Sequence, residues 1–540
     1  MAEERIEEEV KSSGSIGRVS LITLASRLLG LARELLKANY FGTSHAADAF
    51  NVGFMIPNLL RRVLAEGVMS AAIVPVLTDY QKDASPGEVR DFVAAVLGTL
   101  LLLLVIIVSA GVAFAPWYIP LFFPRFDADT SALTSALTAV MFPYIGFVSL
   151  AALFQSVLNC HGRFSLPAAN PLILNVCIIA VMLAFAPRGL DEAERAAATR
   201  VTAFGVLLGG FAQAAMLLPS LFRLGYRRAP RVSFAHPGLR RVGTLVLPVF
   251  IGAGVYQINA VVSLVLAALL RIEGAIAALQ FSNRLIELTL GVFVVAVITV
   301  TLPGLARLWR EGGDRFFAHS VFAFKLILLI SVPAGAGLLV LRHEIITVLF
   351  RHGNFNAQSC ALTEFALLFH AASVPLTACT RFFAQAFYAA RDGRTPLRIG
   401  IAMALANIAF SLALLAPLKH GGIALAMTLA GAVGVAYYIG AWRRTYGLGT
   451  LRGVAPFAAR ALGASLFLAL VYQVWNAAVW PFPENGSRAL QAAHVSTAIV
   501  LGVACYFAAL RALGVRNLGE LLGVLMRRSR APRRAEPAEE

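Results

Sequence analysis

The chain is expected to be an all-α, polytopic membrane protein with about fourteen transmembrane helices. Three observations carry that expectation. Of its 540 residues, 59% are hydrophobic and only 14% charged, with a mean hydropathy of +0.75. A soluble domain of this size does not carry such a surplus of apolar side chains. The apolar runs extend for about 20 residues, the length that carries an α-helix across the hydrocarbon core. They do not alternate polar and apolar residues with period two, as a membrane barrel strand must.

Residues 1–15 read as a polar, acidic lead-in, and MAEERIEEEV is not the basic start of a cleavable signal peptide. Spans follow at roughly 16–41, 46–78, 93–118, 131–159, 168–187, 199–224, 240–270, 274–307, 317–342, 359–390, 396–418, 421–444, 456–478 and 489–513. The second and eighth are too long for one straight crossing, and Pro57 and Pro75 supply kink points in the second. The basic loop 225–239 divides the chain. Spans one to six (16–224) and seven to twelve (240–444) form two six-helix lobes, 456–513 is a C-terminal helix pair, and 514–540 is a basic tail. The order Asn58, Arg61, Gly67, Pro75 in the second span is echoed by Asn283, Arg284, Gly291, Pro303 in the eighth, although the spacings differ.

Loops after even-numbered spans hold most of the arginines, with Arg223, Arg227, Arg228, Arg231, Arg240 and Arg241 the densest group. By the positive-inside rule both termini are cytoplasmic. The net charge of +17 is thus a matter of membrane orientation, and no nucleic-acid partner is expected. There is no GxxxxGK[ST] phosphate loop, no HExxH or other metal-ligand spacing, and no nucleophile–base arrangement. Neither a catalytic site, an ATP-hydrolysing site nor a metal is expected. Cys160, Cys177, Cys360, Cys379 and Cys505 are scattered and read as packing residues. His370 and His494 lie in or near spans, where hydrogen-bonded packing is favoured over a proton relay.

The first two spans are apolar yet carry Arg27, Arg33, Asp48, Arg61, Arg62 and Glu66. An arginine facing lipid at mid-bilayer costs about 2.5–3.5 kcal/mol, so several in one hairpin must face a wet, protein-lined interior. Arg27 and Arg33 are about 9 Å apart along a helix and about 120° around it, so both can border one broad cavity. Arg61 and Arg284 also fall near mid-depth. Guanidinium groups suit phosphates because the planar fork binds two oxygens and stays charged. The alternative is structural pairing: Arg33 with Glu34, Arg284 with Glu287, or Asp48 with one of the arginines. Asn58 lies three residues before Arg61 and can orient it or share its ligand. Arg62 and Glu66 read as an intrahelical pair. Asp48 is either a gate partner or a carboxylate placed at a helix N-terminus by the dipole.

The run SRLLGLARELLKANYFG…DAFNVGFMIPNLLRRVLAEGVMSAAIVPVL resembles the bacterial lipid II flippase family, MurJ or MviN, of the multidrug/oligosaccharidyl-lipid/polysaccharide exporter superfamily. NPLILN (170–175), SNRLIEL (282–288), VLFRHGNF (348–355), FYAARDGRTPLRI (387–399) and PLKHGG (417–422) extend the likeness over nearly the whole chain. The resemblance implies two six-helix lobes related by a pseudo-two-fold axis, and a cationic cavity whose arginines fall on Arg27, Arg33, Arg61 and Arg284, beside Ser26 and with Asp48. It implies a groove for a lipid tail at the C-terminal pair. It also implies movement of undecaprenyl-pyrophosphate-MurNAc-pentapeptide-GlcNAc from the inner to the outer leaflet of the cytoplasmic membrane for cell-wall synthesis. Membrane lipids and the cell-wall synthesis machinery are the implied partners. Some relatives hold sodium with carboxylates on spans seven and eleven. Here Asn259, Asn407 and Ser411 occupy those spans, so coupling to membrane potential or protons is expected rather than to sodium. Asn283 stands where relatives often have Asp, leaving Glu287 to pair with Arg284. The alternatives are an exporter of another polyprenyl-linked saccharide or of a drug, and a lipid-linked glycosyltransferase.

Overall fold

The computed structural model describes residues 2–515, 518, 519 and 521, apart from 64–68, 190, 292–296, 298–303, 306 and 311–312. The described residues are helical, with no strand among them. Eight of their helices are long and apolar enough to cross a membrane, or nine if one bent pair counts as a span. They gather into two compact units. The first comprises residues 1–288, 349–366 and 404–426; the second comprises 289–348, 367–403 and 427–540.

The first unit opens with α1 (Ala2–Phe41), α2 (His45–Val63), α3 (Met69–Asp83) and α4 (Pro86–Phe122). It continues through α5 (Ala128–Met141), α6 (Tyr144–Cys160), the single turn α7 (Ser165–Ala168), α8 (Asn170–Phe185) and α9 (Glu192–Arg223) to α10 (Pro237–Ala268) and α11 (Ala275–Thr289). Polar residues at the loop edges start the helices. Ser85 and Glu88 form a reciprocal capping box on α4, Asp127 caps α5, and Asp191 caps α9. Ile73, Phe92, Val157 and Leu217 pack α3, α4, α6 and α9 into one core. α8 and α9 approach closely because Gly205 has no side chain: a β-carbon there would lie 3.2 Å from the Ile178 Cα. One expected span, 131–159, is two helices, because Pro143 has no N–H to donate to the Ala139 carbonyl one turn back and the ladder breaks between α5 and α6. The basic loop after α9 is strapped to α4 by an Arg228–Asp91 ion pair, by the Arg231 N–H donating to the Ala94 carbonyl at 3.0 Å, and by the Ser233 N–H donating to Thr99 Oγ1 at 3.3 Å.

The later helices are α12 (Gly313–Val340), α13 (Arg342–Phe350), α14 (Ala357–His370), α15 (Ser373–Ala389), α16 (Arg394–Tyr446), α17 (Val454–Ala478) and α18 (Arg488–Ala512). α14 and α15 bend by 46°. α16 contains two of the expected spans, divided where Lys419 leaves helical geometry at φ 50°. In the second unit, Phe316, Phe382, Phe383, Phe387 and Trp442 are fully buried together. On α17, Leu462, Leu466, Leu470 and Val474 recur every four residues and are all more than half exposed. Such a stripe suits lipid rather than water. Hydrogen-bonded packing does not describe His494. It is fully buried, and among the described residues neither ring nitrogen has a hydrogen-bond partner; the ring instead lies 4.6 Å from Trp475 and 5.3 Å from Trp480 and Phe482. All five cysteines are free thiols, and Cys360 and Cys379 are buried.

Candidate functional site

Within the first unit, α1, α2, α8 and α11 bring a polar network into otherwise apolar surroundings. Its centre is Glu34, a buried carboxylate on α1. Arg33 donates to Glu34 Oε1 through Nη2 at 2.7 Å and Nε at 3.2 Å, while Lys37 donates to Oε2 at 3.0 Å. A guanidinium and an ammonium on one turn would repel unless something negative lay between them; the carboxylate supplies that. Arg33 also donates through Nη1 to Asn175 Oδ1 on α8 at 3.0 Å, and the Asn175 amide donates to the Ser26 carbonyl at 3.1 Å. Ser26 thus enters the network through its backbone. Lys37 donates to Asn51 Oδ1 on α2 at 3.3 Å and lies over the Phe50 ring, 5.1 Å from its centroid.

Arg284 arrives from α11. Its Nη1 is 3.4 Å from Glu287 Oε2, one turn ahead, and Asn283 Nδ2 lies 3.5 Å from Glu287 Oε1. Its other end lies against α1 at Gly30, where a β-carbon would collide with Arg284 Nη2. Arg284 Nε is buried and has no hydrogen-bond partner among the described residues. A buried charged donor left unmade is costly, and an anion entering here would satisfy it.

The α2 residues fall on one face. Asp48, Asn51 and Asn58 are separated by three and seven residues, which returns them to nearly the same side of the helix. Asn58 Oδ1 accepts from Arg61 Nε at 3.0 Å, so the asparagine orients the arginine. Asp48 is buried, and its carboxylate accepts from the backbone N–H of Gly274 at 3.0 Å and of Ala277 at 2.8 Å. It therefore caps α11 rather than its own helix, and its partners are amides where an arginine was one of the expectations. Arg27 lies half-buried on α1, seven residues before Glu34 and so on the same helix face. Arg62 continues α2, and Glu66 lies outside the described residues.

Lys37, Asn51 and Asn175 were not singled out from the sequence. Lys37 had a signal, because it stands four residues after Arg33 and shares its face. The two asparagines had none beyond lying in apolar spans. Elsewhere in the first unit, Asn407 Nδ2 donates to Asn259 Oδ1 at 2.9 Å and to Ser263 Oγ at 3.3 Å, giving a neutral polar cluster; Asn407 Oδ1 and Ser411 Oγ are buried without a partner among the described residues.

Three comparisons bear on this arrangement. A family model described as Lipid II flippase MurJ matches residues 37–482. The chain is 32% identical to "Probable lipid II flippase MurJ" of Vibrio cholerae serotype O1 over 96% of this chain and 98% of that one. It is 29% identical to "Lipid II flippase MurJ" of Burkholderia cenocepacia over 92% and 96% of the two chains. Among solved structures, "Lipid II flippase MurJ, inward closed conformation" superposes with a TM-score of 0.76 at 25% identity, covering 91% of this chain and 97% of that one. An inward-facing multidrug transporter of the MATE family and MOP superfamily shares the fold, with a TM-score of 0.62 at 14% identity, covering 79% and 99%. The match extends through the helices that carry Glu34, Asp48 and Arg284, and the chain belongs to the lipid II flippase family, MurJ.

Proposed function

We propose that this protein flips lipid II, the undecaprenyl-pyrophosphate-linked muropeptide, from the inner to the outer leaflet of the cytoplasmic membrane. The observation that carries the reading is the cluster around Glu34. Arg33, Lys37 and Arg284 converge there within a membrane bundle, and Arg284 keeps a donor without a partner among the described residues. That chemistry asks for a multiply charged anion, and the diphosphate of a lipid-linked saccharide is one. A drug exporter for cations would want an acidic cavity instead. Arg27 and Arg61 extend the cationic surface along α1 and α2.

The cycle we infer is alternating access. The headgroup enters from the cytoplasm, the arginines hold its diphosphate, and the prenyl chain stays in lipid. Asp48 serves as a gate, capping α11 in one state and releasing it in another. No covalent step and no ATP hydrolysis is required of this chain. Net movement draws on membrane potential or protons rather than sodium, since Asn259, Asn407 and Ser411 are neutral. Both termini face the cytoplasm, and the cell-wall synthesis machinery consumes the product outside. The test is complementation of a strain depleted of its lipid II flippase. Growth restored by the wild type, and not by Arg284→Ala at equal abundance, is the expected outcome. A well-inserted wild type that fails to restore growth overturns the proposal.

A further inference from the structure

Lys37 is the cation of the cluster that can change its charge. It is 8% exposed and lies one turn beyond Arg33 on α1. Among the described residues, the charged groups that face it are Glu34 and Arg33 on α1 and Arg284 on α11; α2 brings the neutral Asn51 and Phe50, and Asp48 on the same side of α2 is turned to the amides of Gly274 and Ala277. Arginine keeps its proton at any pH a membrane protein meets. Glu34 accepts from both Arg33 and Lys37, and an accepting carboxylate has no proton to give. Three cations, Arg33, Lys37 and Arg284, thus share two carboxylates, Glu34 and the Glu287 paired with Arg284, and the one excess positive charge is an imbalance that burial penalises. A bound diphosphate would correct it from outside. With the site empty, loss of one proton from Lys37 would correct it from within. The geometry permits this: Nζ makes two hydrogen bonds, to Glu34 Oε2 and Asn51 Oδ1, and a neutral amine has the two N–H groups needed to keep both.

We propose that Lys37 is the proton-exchanging group of the anion site, charged when a diphosphate is bound and neutral when the site is empty. The proposal rests on the reading that the site takes a lipid-linked diphosphate. On release of the anion, an Nζ–H bond breaks, the electron pair stays on nitrogen, and the proton passes to water. On binding, water returns it. Each anion is therefore bound together with a proton, which couples the step to pH.

The experiment is calorimetric titration of the full-length protein in micelles with geranyl diphosphate, and separately with inorganic pyrophosphate. It is run at about pH 8–9, between the reference values of histidine and lysine, in buffers of different ionisation heat. Wild type is expected to take up about one proton per anion beyond that taken up by Lys37→Arg, which stays charged. Its affinity should fall by up to about tenfold per pH unit more steeply than that of Lys37→Arg. Lys37→Gln should bind more weakly and lack the extra uptake. Both probes should behave alike, because the linkage lies in the diphosphate; uptake seen only with the prenylated probe would overturn the assignment. Equal proton uptake by wild type and Lys37→Arg would remove Lys37 from the role while leaving the diphosphate reading intact. A wild type that binds neither probe would overturn both.

Discussion

Arg284 meets α1 at a residue with no side chain, and the consequence can be measured. Gly30→Ala places a methyl group where Nη2 now lies. The far end of a flexible arginine can swing away at little cost, and alanine suits a helix interior better than glycine by about 0.5–1 kcal/mol. The variant should therefore be as stable as wild type in a thermal melt, yet resemble Arg284→Ala in activity. Wild-type activity would show that the contact does not position the guanidinium. At this scale the arginines were legible in the sequence, because each is too costly in lipid to stand there without a use. Glu34 was legible as a neighbour of Arg33 but not as the centre of the network. Asn51 and Asn175 are uncharged, and only the folded chain places them against charge. Lys37 was passed over because a lysine four residues from the end of a span can extend towards the interface, whereas here it is buried.

Asp48 joins two helices through two backbone amides at the start of α11. Asp48→Ala would leave both N–H groups buried without a partner, at about 1–3 kcal/mol each. The variant should melt lower than wild type, and Asp48→Asn, which keeps one accepting oxygen, should fall between. An unchanged melting temperature in Asp48→Ala would remove the cap from the account. A second element-scale prediction concerns α17, whose Leu466 is 65% exposed. If that stripe faces lipid, Leu466→Arg should cost about 2.5–3.5 kcal/mol and lower the amount of inserted protein. If it faced water, abundance would not change. The positions of the long apolar helices were readable from hydropathy, which reports length and polarity. The breaks at Pro143, between α14 and α15, and at Lys419 were less so: the last fell in the expected gap between two spans, while the other two interrupt runs that hydropathy reads as continuous. The charged α1 and α2 were expected as helices because their runs are apolar enough to span despite the charges; the expected second span, 46–78, is described as α2 to Val63 and α3 from Met69.

Across the whole molecule, a net charge of +17 is divided between two uses. Most of it lies in loops and at helix ends, where Arg228 in the loop after α9 and Arg241 at the start of α10 pair with Asp91 and Asp79. The remainder is inside the bundle, where Arg33, Lys37 and Arg284 share the carboxylates of Glu34 and Glu287. Moving one charge through the membrane field is worth about 2.3 kcal/mol per 100 mV, so a site of this kind can respond to potential without any bound sodium. The central claim is that these side chains carry the diphosphate of lipid II. The most direct test is translocation of labelled lipid II in proteoliposomes, comparing wild type with Arg33→Ala/Arg284→Ala at equal protein content. Losing charge-assisted contacts worth about 1.5–3 kcal/mol each predicts at least a tenfold fall in the initial rate. Translocation at the wild-type rate by the double variant would contradict the account.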